Sequence, residues 1–464
     1  MIGLLNRFKK NSQIRKAYNL FNQGKFHEAL ECYDNILEKD SNYAHAWFGR
    51  SVVLRELGEY QDALKANDTA LKLDPKDSEA WNNKGVILEK IDRRQDALKA
   101  YDTSLEIDPK NVGTWNNRGN IIMSFGKYSE AIKNYDKALE IDSKHISAWI
   151  NKANAFERLK KYHEAMKAYD TALKLDSELF NAMYGRAIVL RELEEYQDAL
   201  KAYDEVLEMD PNHADAWYSK GEILRKLGKF YEALEAYDKV LELDQNNVNV
   251  WNDKGSTLVM LERYCEAIEA YDKALELDPN NINVWNNKGF THGVFGKYQE
   301  ALKCFNKALK LDPEYEDALF QKGYILVYLG KSHESLECFD KALEINPKDT
   351  EAWYNKGCAF GMLKMYHEAL ECFDKTLQLK PEKIEAWNNR GNVLNDLERH
   401  QEALESFEKS LKINPNGADG WYGKGFSLQK LNKHQEALEC YDKSLELNPD
   451  FEPAKKAVKN LSKA

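Results

Sequence analysis

Residues 248–281 read VNVWNDKGSTLVMLERYCEAIEAYDKALELDPNN, and residues 282–315 continue as INVWNNKGFTHGVFGKYQEALKCFNKALKLDPEY. Set one under the other, they align Trp251 with Trp285, Gly255 with Gly289, Ala267 with Ala301, Tyr271 with Phe305 and Pro279 with Pro313, a period of 34 residues. Working outward in both directions, the period governs most of the chain. Tryptophan recurs at Trp47, Trp81, Trp115, Trp149, Trp217, Trp251, Trp285, Trp353, Trp387 and Trp421, always 34 residues apart or twice that, with Met183 and Leu319 in the two skipped slots. If the tryptophan slot is numbered 4, thirteen repeats start at residues 10, 44, 78, 112, 146, 180, 214, 248, 282, 316, 350, 384 and 418.

The other slots then fall into register. Slot 8 is small, slot 20 is Ala except for Ser335, slot 24 is Tyr or Phe except for Asn67, and nine of the ten prolines occupy slot 32. Slots 4, 8 and 11 make one helical stripe, and slots 20, 24, 27 and 28 another, at the three-and-four spacing of buried helix faces. Small residues at 8 and 20 let two helices approach closely, and the aromatics fill the space beside them. Gly24, Gly58, Gly126, Gly228, Gly296 and Gly330 at slot 15 suit a left-handed stop to the first helix. Asp or Asn before the slot-32 proline ends the second. A lone pair cannot bury its stripe, so the pairs must stack.

This pattern resembles the tetratricopeptide repeat: large at 4, small at 8, Ala at 20, aromatic at 24, Pro at 32. The resemblance implies an all-α fold, a right-handed superhelical α-solenoid of antiparallel helix pairs. The expected organisation is a basic amphipathic segment at 1–9, thirteen repeats over 10–451, and a capping helix at 452–464 with Pro453 in its first turn. Slot 7 departs from the family's usual Leu, being Lys or Arg throughout. Slot 25 is Asp or Glu except for Asn306. The pair predicts a ladder of interhelical ion pairs, each worth well under ~1 kcal/mol if exposed. Asn67 predicts a packing weakness in the repeat that starts at 44.

Composition bounds the function. The chain has 464 residues and a net charge of -11, with five cations and no acid in Met1 to Lys16 and four lysines in Ala454 to Ala464. An acidic body argues against a nucleic-acid partner held through phosphates. No stretch reaches the roughly 20 apolar residues of a membrane span, and the start is too short in its apolar part for a secretory signal. Seven cysteines in no paired close spacing suit a reducing compartment, so a cytoplasmic location is expected. His27, His163, His333 and His367 share slot 18 at an exposed helix start, and no His-Glu-x-x-His spacing occurs. Cys32, Cys304, Cys338, Cys372 and Cys440 share slot 23 as small packing residues. Neighbouring helices about 8 to 10 Å apart are too distant for a disulfide among them. No phosphate loop or nucleophile elbow appears, and carboxylates recur with the period instead of breaking it at one place. The chain is expected to be no enzyme and to use no cofactor or metal.

The family resemblance places slots 2, 5, 6, 9, 12 and 13 of the first helices along a concave groove. From the third repeat this stripe carries amides: Asn82, Asn83, Asn116, Asn117, Asn120, Asn151 and Asn154, continued at slot 6 by Asn287, Asn355 and Asn389. They look like the asparagine ladder in the repeat region of O-linked N-acetylglucosamine transferases, able to pair with the backbone of an extended peptide. The alternative is that Asn is a common polar filler. From the ninth to the eleventh repeat the stripe turns apolar, with Phe290, Val294, Phe320, Tyr324, Tyr328, Tyr354 and Met362, and with Gly293 and Gly361 at slot 12. Exposed aromatics beside helix-interior glycines predict a pocket for apolar partner side chains. Slot 5 is never Lys, so the clamp by which some members grip an acidic chaperone C-terminal tail is not expected. Acids at slot 2 favour a neutral or basic protein or peptide. Two rival functions are a self-assembling structural scaffold and a peripheral membrane adaptor acting through the basic N-terminus; membrane binding is the weaker of these, and the oligomeric state is not legible.

Overall fold

The computed structural model describes residues 12–461, so the basic segment at 1–9 lies outside the described residues. Every helix falls in the phase of the repeat. From the second repeat on, a first helix of 13 residues, such as Ala44–Glu56, is followed by a second of 14, such as Tyr60–Leu73. The first repeat pairs Ser12–Asn22 with Phe26–Lys39, and a last helix runs over Glu452–Leu461. Among the described residues there is no strand. The fold is an all-α solenoid of antiparallel helix pairs, and it divides into two compact units, Met1–Ile223 and Leu224–Ala464, built from the same module.

One backbone geometry closes each pair. Slot 15 is left-handed in all thirteen modules, at φ 72 to 81° in the six glycines and 57 to 61° in Asp92, Lys160, Glu194, Glu262, Lys364, Glu398 and Asn432. The slot-16 amide then reaches back to the slot-11 carbonyl, as from Glu59 to Leu54 at 2.9 Å and from Arg263 to Leu258 at 2.9 Å. That bond terminates the first helix and reverses the chain. At the other end, Asp74 accepts from the amide of Lys76 at 3.2 Å, and Asp77 caps the next helix through Glu79 and Ala80.

The slot-24 ring explains the small residues. A Cβ on Gly85 would stand 2.4 Å from Tyr101, and one on Gly289 would stand 2.7 Å from Phe305. The same ring presses on slot 6 of the following module, where a Cβ on Gly185 would meet Tyr169 at 2.4 Å and one on Gly423 would meet Phe407 at 2.2 Å. Phe407 is thus clasped both by Gly391 of its own module and by Gly423 of the next, which couples neighbours directly.

Two further ties repeat with the period. All ten tryptophans donate from Nε1 to the backbone carbonyl six residues earlier, at 2.8 to 3.0 Å, pinning each first helix to the turn before it. The ion-pair ladder expected between slots 7 and 25 is present, and it joins successive modules. Eleven pairs link slot 25 of one module to slot 7 of the next, from Asp34–Arg50 at 2.6 Å to Glu408–Lys424 at 3.0 Å. Asn306 interrupts it opposite Lys322. Most of these cations also lie over the slot-4 ring, as Lys84 over Trp81 at 5.2 Å and Lys254 over Trp251 at 5.3 Å.

Asn67 does not leave the weakness its sequence position predicts. Its carboxamide is fully buried and donates to the Ala80 carbonyl at 3.0 Å, while its Oδ1 accepts from Asn83 at 2.9 Å and from Ser51 at 3.2 Å. Asn83 also donates to Ser51 at 2.8 Å and accepts from Arg55. The space of a missing ring is occupied by a satisfied polar network.

Candidate partner-binding site

The candidate groove residues separate into a lined cavity and an internally bonded amide series. First helices Ile282–Val294 and Glu316–Tyr328, with the start of Tyr298–Leu311, enclose a cavity of about 200 Å³. Phe290, Val294, Tyr324 and Tyr328 line it, together with Gly293, Tyr298 and Gln321. Gly293 keeps it open, since a Cβ there would come to 3.1 Å from Ile325. Tyr328 stacks at a tilt on Tyr298 at 5.9 Å and on Tyr324 at 5.3 Å between ring centroids. Tyr298 belongs to slot 17 of a second helix, a position the groove rule does not name, so the sequence pattern does not flag it.

The rest of the apolar series sits elsewhere. Phe320 packs on Phe339 at 6.1 Å. Tyr354 packs on Phe373 at 6.0 Å, accepts from Asn389 at 3.0 Å and lies beneath Lys383, which is paired to Glu351 at 2.7 Å. Met362 is exposed, as are Val294 and Tyr328 and, one module earlier, Met260. These four occupy slot 13 of consecutive modules, and Ser332 donates to the Met362 sulfur at 3.8 Å. In the other modules slot 13 is Asn, Ser, Asp, Glu, Lys or Arg. Comparing that slot across the modules is the signal that would have added Met260 to the sequence-based series.

The amides bond mainly to the protein itself. Slot 6 of one module donates to slot 5 of the one before: Asn117 to Asn82 at 3.2 Å, Asn151 to Asn116 at 3.0 Å, and Asn287 to Asn252 at 2.9 Å. Asn120 and Asn154 accept from the hydroxyls of Tyr135 and Tyr169, and Asn355 donates to its own helix at the Glu351 carbonyl. Asn83 is buried in the network around Asn67. The rule also accounts for two orphaned acceptors, the Oδ1 atoms of Asn286 and Asn388. Their slot-6 partners in the next module are Gln321, which lines the cavity, and Gly423, which has no side chain.

His27, His163, His333 and His367 are placed at the helix starts, away from the buried stripes. Burial pushes the thiols of Cys304 and Cys440 up to about 11 and that of Cys372 up to about 12, as befits packing residues. Among the described residues no group of His, Cys, Asp and Glu is placed to hold a metal ion, and no helix is long and apolar enough to cross a membrane.

Profiles of the tetratricopeptide repeat match residues 14–77, 53–112, 100–133, 146–179, 184–248, 282–315, 316–349, 350–383, 384–416 and 418–451, and TPR repeat profiles match 119–160 and 255–293. The chain is a tetratricopeptide repeat protein. A comparison with curated proteins finds no match. Among solved structures this TPR chain is similar to YrrB, described as a TPR protein with an unusual peptide-binding site, at 26% identity over 41% of this chain and 99% of that one, with a TM-score of 0.38. It is also similar to the APC/C hetero-tetramer Cut9-Hcn1, at 15% identity over 99% and 98% with a TM-score of 0.42, and to yeast Tom70, at 18% over 91% and 96% with a TM-score of 0.38. TPR proteins generally mediate protein-protein interaction.

Proposed function

We propose that this TPR protein is a protein-binding scaffold whose first helices in modules 8 to 11 take apolar side chains of a partner segment. One observation carries the reading. Met260, Val294, Tyr328 and Met362 are 61%, 51%, 64% and 62% exposed in the one slot that every other module fills with a polar residue, beside a cavity of about 200 Å³. Exposed apolar side chains in consecutive modules cost solubility unless something covers them. The cavity has room for a single aliphatic or aromatic side chain, and Gln321 at its wall offers that segment a donor and an acceptor. Slot 2 adds Asp317 in module 10, and Glu385 follows in module 12 just beyond, which favours a neutral or basic segment, although Glu351 is already neutralised by Lys383. The amide series contributes less, because most of its rungs are closed within the protein.

The test replaces Val294 and Tyr328 by Ser, the residue that Ser124 supplies in the same slot, and compares proteins captured by the two chains. Loss of the partners captured by the parent, with an unchanged helical circular dichroism spectrum, is the expected result. Equal recovery of the same partners by both chains sinks the reading.

A further inference from the structure

A second surface of a different character lies along the second helices of modules 7 and 8. Phe230–Leu243 and Tyr264–Leu277 flank a groove of about 770 Å³ that shares no residue with the apolar cavity. Its floor is apolar, from Leu234, Trp251, Leu258 and Ala270. At its mouth stands Tyr231, 66% exposed, in slot 18, which elsewhere is Gln, His, Ser or Cys. The cations in the groove are already engaged: Lys254 with Asp238 at 2.5 Å, Arg263 with Glu266 at 2.6 Å and Lys273 with Glu276 at 2.7 Å. Glu235 and Glu269 line the same groove, and neither is ion-paired among the described residues. Both sit in slot 22, which is Lys in modules 2 to 6, as in Lys65, Lys99, Lys133, Lys167 and Lys201. The slot changes sign between modules 6 and 7, and although it is Glu also in modules 1 and 10 to 13, only in module 7 does slot 18 carry a tyrosine.

We propose that this groove docks a lysine- or arginine-bearing segment of a partner protein, with the cationic head between Glu235 and Glu269 and the aliphatic stem along Leu234 and Leu258 beneath the Tyr231 ring. A long basic side chain is the one residue type that matches all three features. Its methylenes cover apolar floor while its head reaches carboxylate, and an exposed aromatic ring adds a cation–π contact. An acidic segment or a phosphate backbone would meet two uncompensated carboxylates, with the groove's cations already committed to Asp238, Glu266 and Glu276.

The test measures fluorescence anisotropy with a fluorescein-labelled peptide of alternating lysine and leucine at about 50 mM salt, where surface charge is weakly screened. Glu235→Lys with Glu269→Lys installs the residue that modules 2 to 6 carry in that slot, so the helix is expected to tolerate it. Affinity should fall about tenfold or more in that variant, and about threefold in Tyr231→Gln. Glu405→Lys with Glu439→Lys makes the same net-charge change in the same slot of modules 12 and 13 and should leave affinity within about twofold of the parent. The proposal is overturned if the two charge reversals weaken binding equally, which marks a diffuse attraction to an acidic protein, or if the slot-22 variant in modules 7 and 8 binds as the parent does. Tyr328→Ser, which tests the apolar cavity, should not change this binding; if it alone abolishes it, the peptide sits in the cavity and the groove is not its site.

Discussion

His292 occupies slot 11, which is Leu, Ile or Phe in every other module, and it is 8% exposed with no hydrogen-bond partner at Nδ1 among the described residues. Burial holds its pKa below the ordinary 6.5, and Lys288 and Lys297 push the same way against the weaker opposing fields of Glu300 and Asp272. The unfolded chain therefore binds the proton more readily than the folded one. Stability from the neutral ring is complete above about pH 6.5 and is lost as pH falls through the unfolded and then the folded pKa. His292→Leu should flatten the fall in urea midpoint between about pH 7.5 and 5 relative to the parent; carboxylate losses common to both chains cancel in the difference, and parallel curves would refute the assignment. Slot 15 supplies a second residue-scale case. Glu262 holds φ at 58° in the left-handed region, whereas Gly58 holds 81° with open space where a side chain would begin. Glu262→Gly should therefore stabilise by about 0.5 to 1 kcal/mol and Gly58→Ala should destabilise by about 1 kcal/mol, read as denaturant midpoints at unchanged slope.

The helix pair is the unit in which the second module differs from its neighbours. Module 3 clasps Tyr101 between Gly85 and the next module, while module 2 has Ser51, Asn67 and Asn83 bonded together in the corresponding space. Asn67→Tyr alone would drive a ring into the Ser51 hydroxyl, and it should cost about 1 to 3 kcal/mol as an overpacked and partly unsatisfied core. With Ser51→Gly added, the arrangement of Gly85, Tyr101 and Asn117 is rebuilt, and most of that loss should return. A double-mutant cycle with a coupling of about 1 kcal/mol or more checks this, and additive effects would contradict it. These contrasts mark how far the sequence could be read. Slots 4, 8, 20, 24 and 32 show themselves because each carries a nearly invariant residue type at a fixed interval, and so do the charges that form the ladder. Slot 6 does not, because its neighbour is the ring of the preceding module, and Gly, Asn, Ser, Asp, Gln and Arg all occur there. For the same reason the amides read as a ligand ladder although Asn117, Asn151 and Asn287 reach the previous module first. The stop at slot 15 was legible only where it is glycine, since the remaining modules hold the same left-handed turn with residues that carry no such signature.

At the scale of the whole molecule, the ties described above run between consecutive modules: the slot-24 ring against slot 6, the slot-25 acid to the slot-7 cation, and slot 6 to slot 5. A chain assembled from such neighbour terms loses stability locally when one is removed. The helix Glu452–Leu461 lays Ala457, Val458 and Leu461 against the cluster of Leu428, Cys440 and Tyr441. A chain ending at residue 451 exposes that apolar face to water. Amide hydrogen exchange should then show protection falling by about tenfold or more in Ala418–Lys430 and His434–Leu447, less in Ile384–Asp396, and not measurably in Glu316–Tyr328. Asn306→Asp gives the converse experiment, since it supplies the one missing carboxylate opposite Lys322. That completed rung should add no more than about 0.5 kcal/mol, concentrated in modules 9 and 10 and weakened by about 1 M salt, because such exposed pairs are screened. A uniform change in exchange along the entire chain from either alteration would show that the modules unfold as one cooperative body and would contradict the nearest-neighbour account.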